Sequence, residues 1–337
     1  MTLHRLDRRS FMAGLAGTTG AMAMASPRMA RASTPVTISE AIRLGLYAPL
    51  YTAIEKGLFE KHGIDPNLTT AGGIAQPVSA LLSEAAQVAV TGTGMSVNAT
   101  TEGAQMINVA KIAGQISVWV VARAGTEFNG VEDFAGKTIA TLKYPSNTFT
   151  TPTYAMRTAG MNPDEDVTFL QLPFGAQLPA VVDGRADFAT VFEWDASIGV
   201  TQFDLDVVYS LGDALGPAVF TSSFVTERYL QDNADTVQAY CNAIAEAERM
   251  LHEDRSVFID VSSTMFPQLD PEVISTAVPR FFGDVPLVPR NPVITRQDWD
   301  TIIAHEQVAG TLRGDFPYEQ MVDTSFAEKA TAEFGLA

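Results

Sequence analysis

One cysteine, four histidines and 22 basic residues stand in a chain of 337, and each scarcity excludes something. The lone Cys241 rules out a framework of internal disulfides. His4, His62, His252 and His305 have no Cys, Asp or Glu partner at a spacing that would hold a metal, so neither a zinc or iron centre nor any other cofactor is expected. With 39 acidic residues the net charge is −17. That is the wrong sign for nucleic acid or an anionic lipid surface, both of which call for basic patches. After residue 32 no apolar run is long enough to span a bilayer. No G-x-S-x-G elbow, Walker loop or G-x-G-x-x-G follows a strand-like run, so no catalytic residue is assigned.

What is present begins with a leader. Arg8-Arg9-Ser10-Phe11-Met12 is a twin-arginine pair followed by a hydrophobic residue, and "MAGLAGTTGAMAMA" after it is short and only mildly apolar. Ala30-Arg31-Ala32 supplies the small residues a signal peptidase requires. The expectation is a twin-arginine-type signal peptide over 1–32, export by the twin-arginine machinery, cleavage after Ala32 and a periplasmic protein. An ordinary secretory signal with chance arginines is the alternative. Cleavage would remove five Arg and one Asp and take the net charge to −21.

Beyond the leader, short apolar runs alternate with amphipathic segments. Residues 41–46, 87–92, 118–122, 137–142, 167–172, 186–192 and 205–211 read as buried strands, and 50–62, 74–85, 96–104, 149–159 and 175–183 as helices. Such alternation means βαβ units and a mostly parallel sheet covered on both faces. After about residue 226 the pattern is helical throughout. The remaining length exceeds one typical core, so two lobes are expected. Extended stretches at 118–130 and 216–226 read as the crossings. They give a discontinuous lobe one, 33–122 with 222–337, and a lobe two over 123–221, hinged like a clamp.

In an open α/β sheet, ligands bind outside the carboxyl ends of the strands. Those ends carry Tyr47-Ala48-Pro49, Ala71-Gly72-Gly73, Thr91 to Met95, Ser117 and Trp119, Pro145 to Thr148, and Phe192 to Asp195. They are small, hydroxyl-bearing and aromatic groups without a titratable cluster, a composition for holding a molecule rather than transforming it. Several have a plain structural explanation too. Thr91-Gly92-Thr93-Gly94 is either an anion cradle or a tight strand–helix turn. Ser146-Asn147-Thr148 caps the helix that follows, with or without a ligand. Tyr47 and Tyr51 are either boundary aromatics or pocket walls, and Trp119 lies near the hinge. Trp194, between Glu193 and Asp195, is the sharpest candidate as a stacking wall.

The stretch "GLYAPLYTAIEKGLFEKHGIDPNLTTAGG", followed by "QPVSALLSEAAQVAVTG", resembles the opening of periplasmic solute-binding proteins of ABC importers. The branch in question takes up nitrate, sulfonates, taurine and thiamine-type pyrimidine precursors. "EGAQMINVAKIAG", "GVEDFAGKTIAT", "LPAVVDGRADFATVFEWDASIG" and "ERYLQDNADTVQAYCNAIAEA" continue the resemblance in order to about residue 250. It implies a two-lobed α/β clamp, a monomer, that closes on a small-molecule ligand and presents it to an ABC permease. The family's cleft positions fall on Tyr47, Ala48, Gly72, Gly73, Thr93 and Gly94 in lobe one, and on Ser146, Asn147, Thr148, Glu193 and Trp194 in lobe two. Trp119 is grouped with them. No arginine stands at these positions to neutralise an oxyanion, and an inward Glu193 would favour an amine or a donating ring nitrogen. Two other classes are a ligand sensor feeding a signalling partner and an enzyme resembling the thiamine-pyrimidine synthases. The latter would need Lys143 near the cleft and a cysteine-rich motif that the chain lacks.

Overall fold

The computed structural model describes residues 33–312, 314 and 317–336; the expected signal peptide lies outside them. Ten strands form two five-stranded sheets. The first is built from β1 (Thr34–Glu40), β2 (Ile64–Thr70), β3 (Val88–Gly92), β4 (Met106–Gln115) and β10 (Pro217–Thr226), in the order β2-β1-β3-β10-β4. The second contains β5 (Trp119–Arg123), β6 (Thr138–Leu142), β7 (Thr168–Leu172), β8 (Phe188–Val191) and β9 (Leu205–Ser210), in the order β7-β6-β8-β5-β9. The two orders describe one topology used twice. Each sheet has three parallel strands, then an antiparallel fourth that comes from a crossing: β10 pairs against β3 and β4, and β5 against β8 and β9. Helices connect and cover the parallel strands, as the sequence alternation requires. The carboxyl ends of β1 and β3 in one lobe and of β6 and β8 in the other border the space between the lobes.

Several expectations shift. Residues 41–46 are not a strand: β1 precedes them, and Gly45–Tyr47 is a short 3-10 helix. Their apolar character comes from burial of a turn, since Leu46 and Tyr47 are both buried in the core. β2 carries no strand signal because "IDPNLTT" is polar; it is an edge strand, where Pro66 is tolerated. The helix expected over 50–62 is two pieces, Ala48–Glu55 and Leu58–Lys61, parted by Gly57 at φ 64°. The crossings also move. β5 belongs wholly to the second sheet and β10 to the first, so the chain passes between lobes at 116–118 and 211–216 rather than at 122/123 and 221/222.

These crossings lie side by side: Leu211 N donates to the Val118 carbonyl at 3.1 Å. Gly212 sits against the Ile116 carbonyl and the Gln115 side chain, so closely that a Cβ would collide with both. Gly212→Ala is expected to lower stability by about 1–3 kcal/mol by forcing the crossing strands apart. Urea denaturation of the two proteins measures it; an unchanged midpoint would contradict this packing.

After β10 the chain is helical, and its helices tie the lobes together. Ala234–Glu253 packs Val237, Tyr240, Ile244 and Leu251 into the first lobe's core beside helix Ala48–Glu55. Helices Arg255–Met265 and Pro271–Phe281 continue to helix Asp195–Gln202 of lobe two, and Arg296–Val308 lies between β10 and lobe two's helix Asn147–Thr158.

Candidate functional site

A cleft of about 470 Å³ opens between the lobes. Lobe one contributes Ile74 and Ala75 from the loop after β2, Val78 and Leu82 from helix Gln76–Leu82, and Gly92, Gly94 and Met95 at the end of β3. Lobe two contributes Tyr144, Pro145 and Asn147, beyond the end of β6. The C-terminal helices contribute Glu306, Gly310 and Thr311. Its volume suits a small organic molecule.

Local hydrogen bonds set each wall. Ser146 caps helix Asn147–Thr158 by accepting from Thr148 N, while Thr148 Oγ1 accepts from Leu142 N at 2.9 Å. Asn147 is thereby held at the helix start, aimed at the cleft. Thr93 Oγ1 donates to the Val219 carbonyl at 2.6 Å, which fastens the end of β3 to β10 and leaves Gly94 on the surface of the cleft. Helix Arg296–Val308 starts in a capping box between Thr295 and Asp298. Asp298 also pairs with Lys111 of β4 at 2.8 Å. The helix is thus anchored at one end and delivers Glu306 to the cleft at the other.

A second group lies deeper. Trp194 is only 8% exposed, and packs against Phe266 at 5.1 Å, Phe281 at 5.7 Å and Phe258 at 6.1 Å between ring centroids. Gly45 allows the approach, since a Cβ there would come within 2.7 Å of the indole. Glu193 forms a short ion pair with Arg280 and accepts from Ser197 N at 3.2 Å, while Arg280 Nη2 donates to Ser197 Oγ at 2.6 Å. On the far side His305 Nε2 lies 3.1 Å from Thr151 Oγ1, Arg157 donates to the Val308 carbonyl at 2.6 Å, and Tyr144 to the Gly310 carbonyl at 3.1 Å. The lobes are therefore closed on each other, latched from both sides by the C-terminal helices.

Residues 46–255 match the family described as NMT1/THI5 like, more than half of the chain. The chain belongs to the NMT1/THI5-like family. The protein YtlA of Bacillus subtilis (strain 168) is 26% identical over 315 residues, covering 92% of this chain and 94% of YtlA. Among solved structures, the alkanesulfonate-binding protein SsuA of Xanthomonas axonopodis pv. citri, bound to MOPS, superposes with a TM-score of 0.67. It is 16% identical, with 87% of this chain and 99% of that one covered. The periplasmic nitrate-binding protein NrtA of Synechocystis PCC 6803 gives a TM-score of 0.65 at 15% identity, with 89% of each chain covered. At such identities the likeness is one of fold: two lobes of the periplasmic binding protein type.

Within this NMT1/THI5-like fold the expected positions separate. Gly94 and Asn147 line the cleft, and Gly72 and Gly73 lead into its Ile74-Ala75 wall. Glu193 and Trp194 are in the closed junction, and Tyr47 and Ala48 are buried where helix Ala48–Glu55 begins. The hydroxyls of Thr93, Ser146 and Thr148 are engaged by the protein's own main chain, and Trp119 is buried at the start of β5. An arginine does come to the acidic pair: Arg280, from a helix that carries no signal in its sequence. Glu306 and Glu40 were also not legible. Glu40 ends β1, fully buried, and accepts from Tyr51 at 2.5 Å and Thr70 at 2.6 Å. Tyr51 is thereby committed to the fold.

Chemistry at these groups is quiet. Burial pushes the Cys241 thiol upward, far from the reactive range, and lowers His305 to about 4, leaving it neutral. Among the described residues no group of three His, Cys, Asp or Glu could hold a metal ion. Burial raises the Glu193 carboxyl, against the opposing pull of Arg280 and Ser197. It raises Asp195 from 3.8 to about 6, helped by the charge of Glu193.

Two predictions follow from this junction. Arg280→Leu strands the buried Glu193 and is expected to cost about 3 kcal/mol, whereas Arg280→Leu with Glu193→Leu should recover most of it. Denaturant melts of the three proteins decide; a double variant no better than the single would contradict the pairing. The raised Asp195 favours folding only while protonated, and that contribution fades as pH rises through its folded value. Asp195→Asn should match the wild type near the carboxyl's ordinary 3.8. It should exceed it by about 2–3 kcal/mol at about pH 7.5. A constant difference across that window would contradict the shift.

Proposed function

We propose that the protein is an extracytoplasmic solute-binding protein that captures a small organic nitrogen- or sulfur-containing ligand between its lobes and delivers it to an ABC importer. The observation that carries this reading is the cleft itself. It lies at the strand ends, is walled by both lobes, and is lined by main-chain, amide, hydroxyl, carboxyl and apolar groups. Contacts from two lobes make the closed state the binding state, so a ligand shifts the population toward closure. Named relatives of the same fold bind alkanesulfonate and nitrate, which supports a solute-binding role without naming this protein's solute. The Arg8-Arg9 leader supports export, and a twin-arginine route with cleavage after Ala32 belongs to the same proposal. Among the described residues no helix is long and apolar enough to cross a membrane, so a separate permease would carry the solute across.

Trp194 gives the test a built-in reporter, because its ring sits at the junction that must part when the lobes open. A thermal-shift screen of sulfonates, amino-sulfonates and pyrimidines should find compounds that stabilise the protein. The gain is about 2.7 kcal/mol at a ligand concentration a hundredfold above Kd. The same compounds should change tryptophan fluorescence in the wild type and not in Trp194→Phe. Absence of any stabilisation across the screen would overturn the ligand class.

A further inference from the structure

Among the described residues, the charged groups on the walls of the cleft are Glu102 and Glu306, with no Lys, Arg or His. Arg280, the cation that reaches the lobe junction, is paired to Glu193 and bonded to Ser197 and is not a wall of the cleft. Glu306 is 9% exposed, next to Gly94, whose missing side chain leaves the carboxylate open to the cleft.

Its partners within the protein are few. A single hydroxyl proton on Thr311 serves both the Glu306 side chain and its carbonyl. Asn147 Nδ2 donates from 3.5 Å, at the limit of a hydrogen bond. His305 Nδ1 stands 3.9 Å away on a neutral ring. An ionised carboxylate accepts about four hydrogen bonds, so Glu306 is left with unused acceptor capacity in a desolvated position facing a cavity. Burial raises its carboxyl for that reason. Apolar walls come from Ile74, Val78, Leu82, Met95 and Pro145, interrupted by the polar side chains of Ser79, Asn98 and Tyr144.

An anion brought here would lose its hydration and stand against a buried carboxylate, a repulsion that a low-dielectric site strengthens. A cation would meet the opposite situation: charge pairing, free acceptor sites and an apolar surface for its body. We propose that the cleft selects an organic cation, a protonated amine or amidine on a small apolar body, with Glu306 as its counter-charge, and that it rejects sulfonate and nitrate. This rests on the solute-binding reading and narrows it to the nitrogen-containing side. Glu306 is the specificity-determining residue. It is supplied by a helix that lobe one anchors through Asp298, and it faces Asn147 of lobe two, so the cation is bound only when both lobes are in place.

The experiment is calorimetric titration of the purified protein with four probes that share one ring and differ in charge: benzylamine, benzamidine, benzyl alcohol and benzenesulfonate. Benzylamine or benzamidine should bind and the sulfonate should not. Glu306→Gln, which keeps an acceptor for Thr311, should melt cooperatively and bind the cations about tenfold or more weakly, the effect of losing a hydrogen bond to a charged group. Binding of benzenesulfonate as tight as that of the amines would overturn the proposal. So would cation affinity unchanged in Glu306→Gln. The wild-type comparison decides even if that variant does not fold. Should none of the four probes bind, the cation assignment falls. The wider set of sulfonates and pyrimidines then shows whether solute binding stands without it or falls as well.

Discussion

Between the two lobes the buried carboxylate of Glu193 is paired with the guanidinium of Arg280. Glu193 is 3% exposed, in a place where an unpaired charge would cost more than most single interactions can repay. The cation comes from helix Pro271–Phe281, on the far side of the interlobe boundary. That requirement orients the helix against lobe two, brings Phe281 and Phe258 onto the Trp194 ring, and leaves room for the indole only because residue 45 is glycine. The closed arrangement of the clamp is thus organised around one desolvated charge and the aromatic cluster that keeps water from it.

The opposite edge of the boundary is held more softly. Arg157 with the Val308 carbonyl and Tyr144 with the Gly310 carbonyl are exposed hydrogen bonds, and Thr151 with a neutral His305 is a buried one without an ion pair. The cleft lies along this edge. Individual bonds of this kind contribute about 1 kcal/mol each, within reach of what a ligand can replace. One side of the boundary is thus built on an ion pair and a ring cluster, and the side bordering the cavity on separate hydrogen bonds, a division that suits the clamp motion the proposed function requires.

How much of this the sequence disclosed depends on how local the cause was. Strand–helix alternation and the serine cap at 146 are set by neighbours along the chain, and they were legible. Two lobes followed from length and from the crossings, though the crossings were displaced by several residues because "VWVVA" is equally apolar in either sheet. The turn at 41–46 was mistaken for a strand because burial, not extended pairing, demands its leucines. Arg280, Glu306 and Glu40 were invisible for a different reason. Each acquires its meaning from a partner far away in sequence: 87 residues separate Arg280 from Glu193, and 159 separate Glu306 from Asn147. Trp194 stood out beside two acids, but its ring partners did not.

The central claim is that a small molecule is held between the lobes and contacted by both. The most direct measurement is a crystal structure of the protein with the best-stabilising compound of the ligand screen. The account predicts density in the cleft between Gly94, Asn147 and Glu306, with at least one contact from each lobe. A ligand bound to one lobe alone, or outside the cleft with those three residues untouched, would contradict it.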